Sequence, residues 1–261
     1  MMGLKSMVYI RYIVFIVIFF SYTILYGIYY MMKCRYLLKH YGYGAYKKYA
    51  SKKLGEWGRM TLRLTGSKVE VKGKDLLPKE GPYLVVANHQ SYMDIPLLCG
   101  YVNDGIGFLA KKELKRFPIF DHILESAGSV FLDRKDTRSA LKLFRELSRV
   151  IKQEKRVLAV FPEGTRSPDG KIHEFRAGSL KLATMTNIPV VPVSICGTIN
   201  IIRKKKYFIT PANVKVSIGK PLDTSTLIPQ EKRSLSDLVR EKIIEMQNED
   251  LHHKVTGIRE K

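Results

Sequence analysis

Acidic residues are missing from the first 53 positions of this chain. Nine cations stand there: Lys5, Arg11, Lys33, Arg35, Lys39, Lys47, Lys48, Lys52 and Lys53. Cysteine is scarce too. Cys34, Cys99 and Cys196 are widely spaced and form no Cys-x-x-Cys pair, which argues against a disulfide framework and against a thiolate zinc site. No other metal-ligand cluster is evident, so no metal is expected. The chain lacks a Gly-x-Ser-x-Gly elbow, so no nucleophilic serine of that kind is expected. It also lacks internal repeats and low-complexity linkers.

What is present begins with charge. The 261 residues carry 45 Lys and Arg against 24 Asp and Glu, a net +21. That balance suits an anionic partner: nucleic acid, anionic lipid or a phosphorylated substrate. Position helps to choose. The N-terminal cations surround Tyr12–Met32, which is 21 residues without a formal charge. Such a run is long enough to span a bilayer core as a helix. A cleaved signal peptide would have a shorter apolar core ending in small residues. This run ends Tyr29-Tyr30-Met31-Met32, so a retained anchor is expected. More cations follow the run than precede it, which puts its C-terminal side in the cytoplasm. Tyrosines from Tyr26 to Tyr49 suit a headgroup-level aromatic belt. A helix pair that dips into one leaflet and returns is an open alternative. Cations beside an apolar anchor, without a nucleic-acid motif, favour anionic membrane lipids over nucleic acid.

From Lys68 onward, short β-branched runs alternate with stretches of helical spacing. Expected strands are Val69–Val71, Tyr83–Ala87, Ile106–Ala110, Val130–Leu132, Val157–Phe161, Val190–Ile195 and Val214–Ile218. Expected helices are Ile95–Tyr101, Glu113–Ser126, Thr137–Gln153, Gly178–Thr186 and Gln230–Asp250. The alternation predicts an α/β domain with a mixed sheet of about seven strands flanked by helices. The boundary falls near Thr65-Gly66-Ser67, giving an anchor with a basic aromatic interfacial helix over 1–66 and the α/β domain over 67–261. The polar tail Leu251–Lys261 is expected to fray.

Three strand ends carry chemistry. After Tyr83–Ala87 comes Asn88-His89-Gln90-Ser91-Tyr92-Met93-Asp94. A histidine followed by a carboxylate suggests a general base and its orienting partner. Five residues of helix turn about 500°, so His89 must precede the helix for its ring to reach Asp94. Ser91-x-x-Asp94 also reads as a capping box, and the two readings are compatible. Phe161-Pro162-Glu163-Gly164-Thr165-Arg166-Ser167 follows Val157–Val160, at the kind of strand end where open α/β sheets bind ligands. Arg166 there can grip a phosphate with two parallel hydrogen bonds. The bland alternative is a polar turn with a solvated Glu–Arg pair. Gly128-Ser129-Val130-Phe131-Leu132-Asp133-Arg134 is a third run ending in a cation. Together these make a base with a cationic pocket. Arg203-Lys204-Lys205-Lys206-Tyr207-Phe208 reads either as a solvated basic hairpin or as an anionic-headgroup contact.

These blocks resemble the glycerolipid acyltransferase family. The family's histidine–four residues–aspartate block corresponds to Asn88, His89 and Asp94. Its strand ending in arginine corresponds to Gly128–Arg134, and the third block to residues 161–167. An apolar block around proline is found at Ile188-Pro189-Val190-Val191-Pro192-Val193. The four occur in order across about residues 68–220.

The resemblance implies transfer of an acyl group from a thioester to the sn-2 hydroxyl of lysophosphatidic acid. His89 would be the base and Asp94 its partner. Arg134, Glu163, Gly164, Thr165 and Arg166 would form the acceptor-phosphate region. Lys112 resembles a family lysine near the phosphate, with Lys111 equally available. It implies no cofactor beyond acyl-CoA or acyl-acyl carrier protein as co-substrate. Asp121 after Pro118-Ile119-Phe120, and Phe175-Arg176-Ala177-Gly178-Ser179, depart from the family pattern and bear on acceptor and acyl-chain preference. Acylation of another lysolipid or of glycerol 3-phosphate is the nearest rival. A non-enzymatic protein of anionic membrane surfaces is the more distant one.

Overall fold

The computed structural model describes residues 2–116, 118–133, 136–176, 178–202 and 209–256. The basic run at 203–208 lies outside the described residues. The chain divides into two compact units. One comprises Met1–Lys68, Ser91–Phe131 and Gly197–Asn213; the other comprises Val69–Gln90, Leu132–Cys196 and Val214–Lys261.

The first unit is built on α1 (Met2–Leu64). This helix is interrupted at Gly42, whose φ of 78° and ψ of 179° are not helical. Glycine meets no Cβ penalty at positive φ, so the break falls there. The two halves then pack on each other. Tyr30 stacks on Tyr49 with ring centroids 6.2 Å apart, and Tyr30, Cys34 and Ala50 form one buried cluster. Nineteen residues of straight helix would hold residues 30 and 49 about 28 Å apart. The chain therefore folds back, and the expected anchor Tyr12–Met32 is one arm of a helix pair. Ile13, Val17, Leu25 and Met32 are among the apolar side chains it leaves exposed. The most apolar 18-residue window of this helix has mean hydropathy 2.0, enough to cross a membrane. An apolar surface of this extent associates the chain with lipid.

The second arm is seated through glycine. A Cβ on Gly58 would lie 2.4 Å from the Pro96 carbonyl oxygen and 2.7 Å from the Gly100 nitrogen. Those neighbours belong to α2 (Asp94–Leu97) and to a π-helical turn, Leu98–Val102. The sequence predicts one regular helix over 95–101; the close approach of two backbones here accompanies a short α turn widened into a π turn. A single helix over 113–126 is likewise replaced by a 3-10 turn (Lys112–Arg116) and α3 (Pro118–Ser126). Proline has no N–H to donate and disfavours helix in the residue before it, so it starts a helix rather than continuing one. The unit also contains β3 (Gly107–Lys111) and most of β4 (Val130–Leu132).

The second unit contains nearly all of β1 (Lys68–Lys72), and then β2 (Tyr83–Ala87), β5 (Val157–Val160), β6 (Val190–Cys196) and β7 (Asn213–Ile218). Its helices are α4 (Thr137–Gln153), α5 (Lys181–Thr186) and α6 (Pro229–Thr256). The seven strands follow the order β1-β7-β6-β2-β5-β3-β4. β2 runs parallel to both β5 and β6, while β6 and β7 are antiparallel, so the sheet is mixed as expected. All five residues of β2 are buried, which explains an apolar run without alternation. Leu235, Val239 and Ile243 form the buried stripe of α6 at a spacing of four. The helix continues to Thr256, past the Leu251 start of the expected tail. Asp250, buried near its end, accepts from Ser217 Oγ at 2.6 Å, tying α6 to β7.

Candidate active site

Strand register places the first two motifs side by side. Val86 pairs with Val160 in the parallel β2–β5 ladder. The residues that follow, Asn88-His89 and Phe161-Pro162-Glu163, therefore leave the same edge of the second unit. Asn88 is buried and closes the end of β2 onto β6. Its side chain donates to the Ile195 carbonyl at 2.9 Å and accepts from the Ile195 N–H at 2.8 Å. His89 is held through its backbone. Its N–H donates to Glu163 Oε1 at 2.8 Å, and its carbonyl accepts from the Ser167 N–H at 2.7 Å. Its ring stacks on Phe161 with centroids 4.0 Å apart and planes within 15°.

Glu163 is the hub of this loop. It is 6% exposed. Besides the His89 N–H, its carboxylate accepts from Ser167 Oγ at 2.8 Å and from the His173 N–H at 3.1 Å. A buried carboxylate is tolerated when donors surround it in this way. Gly164 turns the loop at φ +74°, and a Cβ there would meet Arg176 Nε at 2.4 Å. Thr165 and Arg166, the next two residues, are exposed. Asp169, further along, is held below the usual carboxylate range by the Lys171 N–H and by His173.

In the first unit, Asp94 is fully buried. Oδ2 accepts from the Ser91 N–H at 2.8 Å and Oδ1 from Thr198 Oγ1 at 2.5 Å. The Ser91 hydroxyl accepts from the Met93 N–H at 3.3 Å. Only half of the expected capping box forms: Met93 is the N-cap of α2 and makes no side-chain cap bond, while Asp94 reaches back to the Ser91 N–H, and that bond helps fix the carboxylate. Lys112 opens the 3-10 turn after β3 and is exposed, as is Lys111. Cys99 is fully buried, and burial pushes its thiol well above the usual range, which suits packing and not nucleophilic attack.

Of the residues singled out from sequence, His89, Glu163 and Gly164 meet in one hydrogen-bonded loop system, with Thr165 and Arg166 on its exposed side. Asp94 and Lys112 lie in the first unit, and Arg134 lies outside the described residues. Thr198, Asn88 and Ser167 are the supports that pattern reading did not assign. Asn88 and Ser167 flank the motifs in sequence; Thr198 has no signal beyond following β6.

Residues 68–196 match the Acyltransferase family model, the class to which the two loop motifs point. A 1-acyl-sn-glycerol-3-phosphate acyltransferase of Borreliella burgdorferi is 31% identical over 192 residues, 71% of this chain and 74% of that protein. The Saccharomyces cerevisiae enzyme of the same name is 33% identical over 184 residues, 70% of this chain and 60% of the relative. The alpha form of Mus musculus is 31% identical over 182 residues, 69% of this chain and 64% of the relative. The match thus spans less than two thirds of the mouse and yeast proteins. The crystal structure of the 1-acyl-sn-glycerophosphate acyltransferase of Thermotoga maritima superposes with a TM-score of 0.78 at 32% identity, covering 93% of this chain and 97% of that one. The chain belongs to the acyltransferase family, among the relatives of the 1-acyl-sn-glycerol-3-phosphate acyltransferases.

Proposed function

We propose that this chain transfers a fatty acyl group from a thioester to the sn-2 hydroxyl of 1-acyl-glycerol 3-phosphate, forming phosphatidic acid. The observation that carries the reading is the clamp on His89: both its backbone groups are tied to the Glu163–Ser167 loop, and its ring lies flat on Phe161. A base held this firmly loses little freedom when it meets a substrate hydroxyl.

The aliphatic hydroxyl is a poor nucleophile near neutral pH. His89 accepts its proton as the oxygen attacks the thioester carbonyl, a role worth about 10²–10⁴-fold. The tetrahedral adduct collapses, the carbon–sulfur bond breaks, and the imidazolium returns the proton to the departing thiolate. Asp94 is the partner of His89, fixing tautomer and orientation and stabilising the imidazolium. Its burial and its two hydrogen bonds support that role, because a fixed carboxylate is what orientation requires. The exposed Arg166, with Arg134 and Lys112, reads the acceptor's phosphate. Glu163 and Gly164 shape the loop that presents Thr165 and Arg166. A carboxylate facing the phosphate would repel it, and Glu163 instead has three protein donors.

The donor is acyl-CoA or acyl-acyl carrier protein. The basic flank of α1 works against anionic lipid on the cytoplasmic face. The test is turnover by the purified full chain with 1-acyl-glycerol 3-phosphate, other lysolipids and glycerol 3-phosphate in competition. Preferential conversion of the first supports the reading. Preference for another acceptor contradicts the substrate assignment, and no acyl transfer to any acceptor contradicts the activity.

A further inference from the structure

Helix α4 presents a row of charge that the proposed chemistry does not use. Arg138, Lys142, Arg145, Arg149 and Lys152 follow one another at intervals of 4, 3, 4 and 3 residues. On a helix that spacing gathers all five within an arc of about 80° and strings them along about 21 Å. All five are exposed. The opposite side is anchored by Phe144, 4% exposed, and Ile151, fully buried. The first turn is capped, with Asp136 accepting from the Ser139 N–H at 3.0 Å. The row is therefore carried on a helix that is packed and capped, and it is set before any partner arrives.

Little of this charge is spent within the molecule. Among the described residues, Lys142 alone of the five has a carboxylate within ion-pair distance, Glu146 at 3.9 Å, and both side chains remain mostly in water. Nor does the helix offer anything to insert into a bilayer. None of the described side chains of α4 is an exposed large apolar one. A helix that lies in a membrane interface shows apolar side chains beside its cations, and here those side chains face the unit's own core. A straight ionic row without apolar neighbours fits a rigid acidic surface of similar length.

We infer that the cationic row of α4 docks a small acidic protein bearing the acyl thioester, so that the donor reaches this chain on a protein carrier. The inference rests on the acyl-transfer reading and names the form of its donor. Docking of this kind acts on encounter and carrier affinity, is weakened by salt, and leaves the bond-making step unchanged.

The experiment uses the full chain in neutral detergent and phosphatidylcholine micelles, with 1-acyl-glycerol 3-phosphate as acceptor. Donors are palmitoyl-acyl carrier protein and palmitoyl-CoA. The variant is K142E/R145E/R149E, with K142Q/R145Q/R149Q as a milder companion whose folding is checked by circular dichroism. Reversal is expected to raise the KM for the carrier-bound donor about tenfold or more, the scale of several exposed ion pairs lost together. The glutamine variant should fall between. KM for palmitoyl-CoA and for the acceptor should stay within about twofold in both. Added salt should raise the wild-type carrier KM toward that of the variant. Carrier KM values that are unchanged in both folded variants overturn the inference. So does a loss common to both donors that appears only with anionic vesicles, which would give the row to the lipid surface. A wild type that uses palmitoyl-CoA but not the carrier donor overturns the inference and leaves the acyltransferase reading standing. Failure with both donors overturns the acyltransferase reading too.

Discussion

Replacing Glu163 by glutamine tests whether the loop is held as described, with almost no change in volume. The carboxylate of Glu163 accepts three hydrogen bonds, from the His89 N–H, the Ser167 hydroxyl and the His173 N–H, at 2.8, 2.8 and 3.1 Å. A glutamine Oε1 can keep the His89 bond. Its amide nitrogen then faces the other two donors. Ser167 can rotate its hydroxyl and accept, but the His173 N–H meets another N–H and is left unpaired. The bonds that survive lose their charge assistance. The donor left without its partner belongs to a part-buried bond and costs about 1–3 kcal/mol, and weakening the remaining bonds adds about 1 kcal/mol. The expected loss is therefore about 2–4 kcal/mol. For a chain of this size that corresponds to a fall of about 4–16 °C in melting temperature. Melting of wild type and Glu163→Gln in detergent, at one fixed scan rate, measures it. Because Glu163 holds the His89 backbone, kcat should fall as well, while the acceptor KM should not rise selectively. A variant that melts with the wild type and keeps its kcat would refute the clamp. Unchanged melting with a raised acceptor KM alone would instead put this carboxylate against the acceptor.

Three further substitutions separate the parts of the site. Gly164→Ala must adopt a positive φ and displace Arg176, so it should cost about 1–2 kcal/mol, read as a lower melting temperature. Thr198→Val keeps the shape but removes the 2.5 Å donor to Asp94 Oδ1; about a tenfold lower kcat with KM values nearly unchanged is expected from steady-state kinetics. Arg166→Lys keeps the charge and loses the two-pronged geometry, so the acceptor KM should rise more than the donor KM; the reverse pattern would move Arg166 to the thioester carrier.

The sheet is largely legible in the sequence because its strands are short apolar runs, and the central ones, β2, β5 and β6, are buried along their whole length. β2 reads directly from Tyr83–Ala87, and the other strands fall within a residue of expectation at each end. The helices are less legible where the chain's own neighbours set the geometry. The π turn at Leu98–Val102 coincides with the approach of Gly58 to Gly100, a contact between residues 42 positions apart that no local pattern encodes. The reversal at Gly42 leaves only a glycine in a tyrosine-rich run as a trace, which is why the sequence makes an anchoring segment clear and offers a helix pair only as the alternative to a single span. In the site, the motif residues were visible because histidine, aspartate and arginine at strand ends are unusual for packing. Thr198 was invisible because a threonine after a strand has no distinguishing chemistry until its hydroxyl is seen on Asp94. The backbone role of Glu163 was hidden for a similar reason: spacing in a loop does not tell a ligand-facing carboxylate from one that binds N–H groups.

The most direct measurement is a single-time-course assay of purified full-length protein with 1-acyl-glycerol 3-phosphate and a labelled acyl thioester, run beside His89→Ala. The account predicts that wild type makes phosphatidic acid acylated at the sn-2 position. It predicts that His89→Ala makes at least about a hundredfold less, with unchanged circular dichroism, because the ring contributes a proton acceptor more than packing. A folded His89→Ala protein that forms the product at the wild-type rate under saturating substrates would contradict the account at its centre.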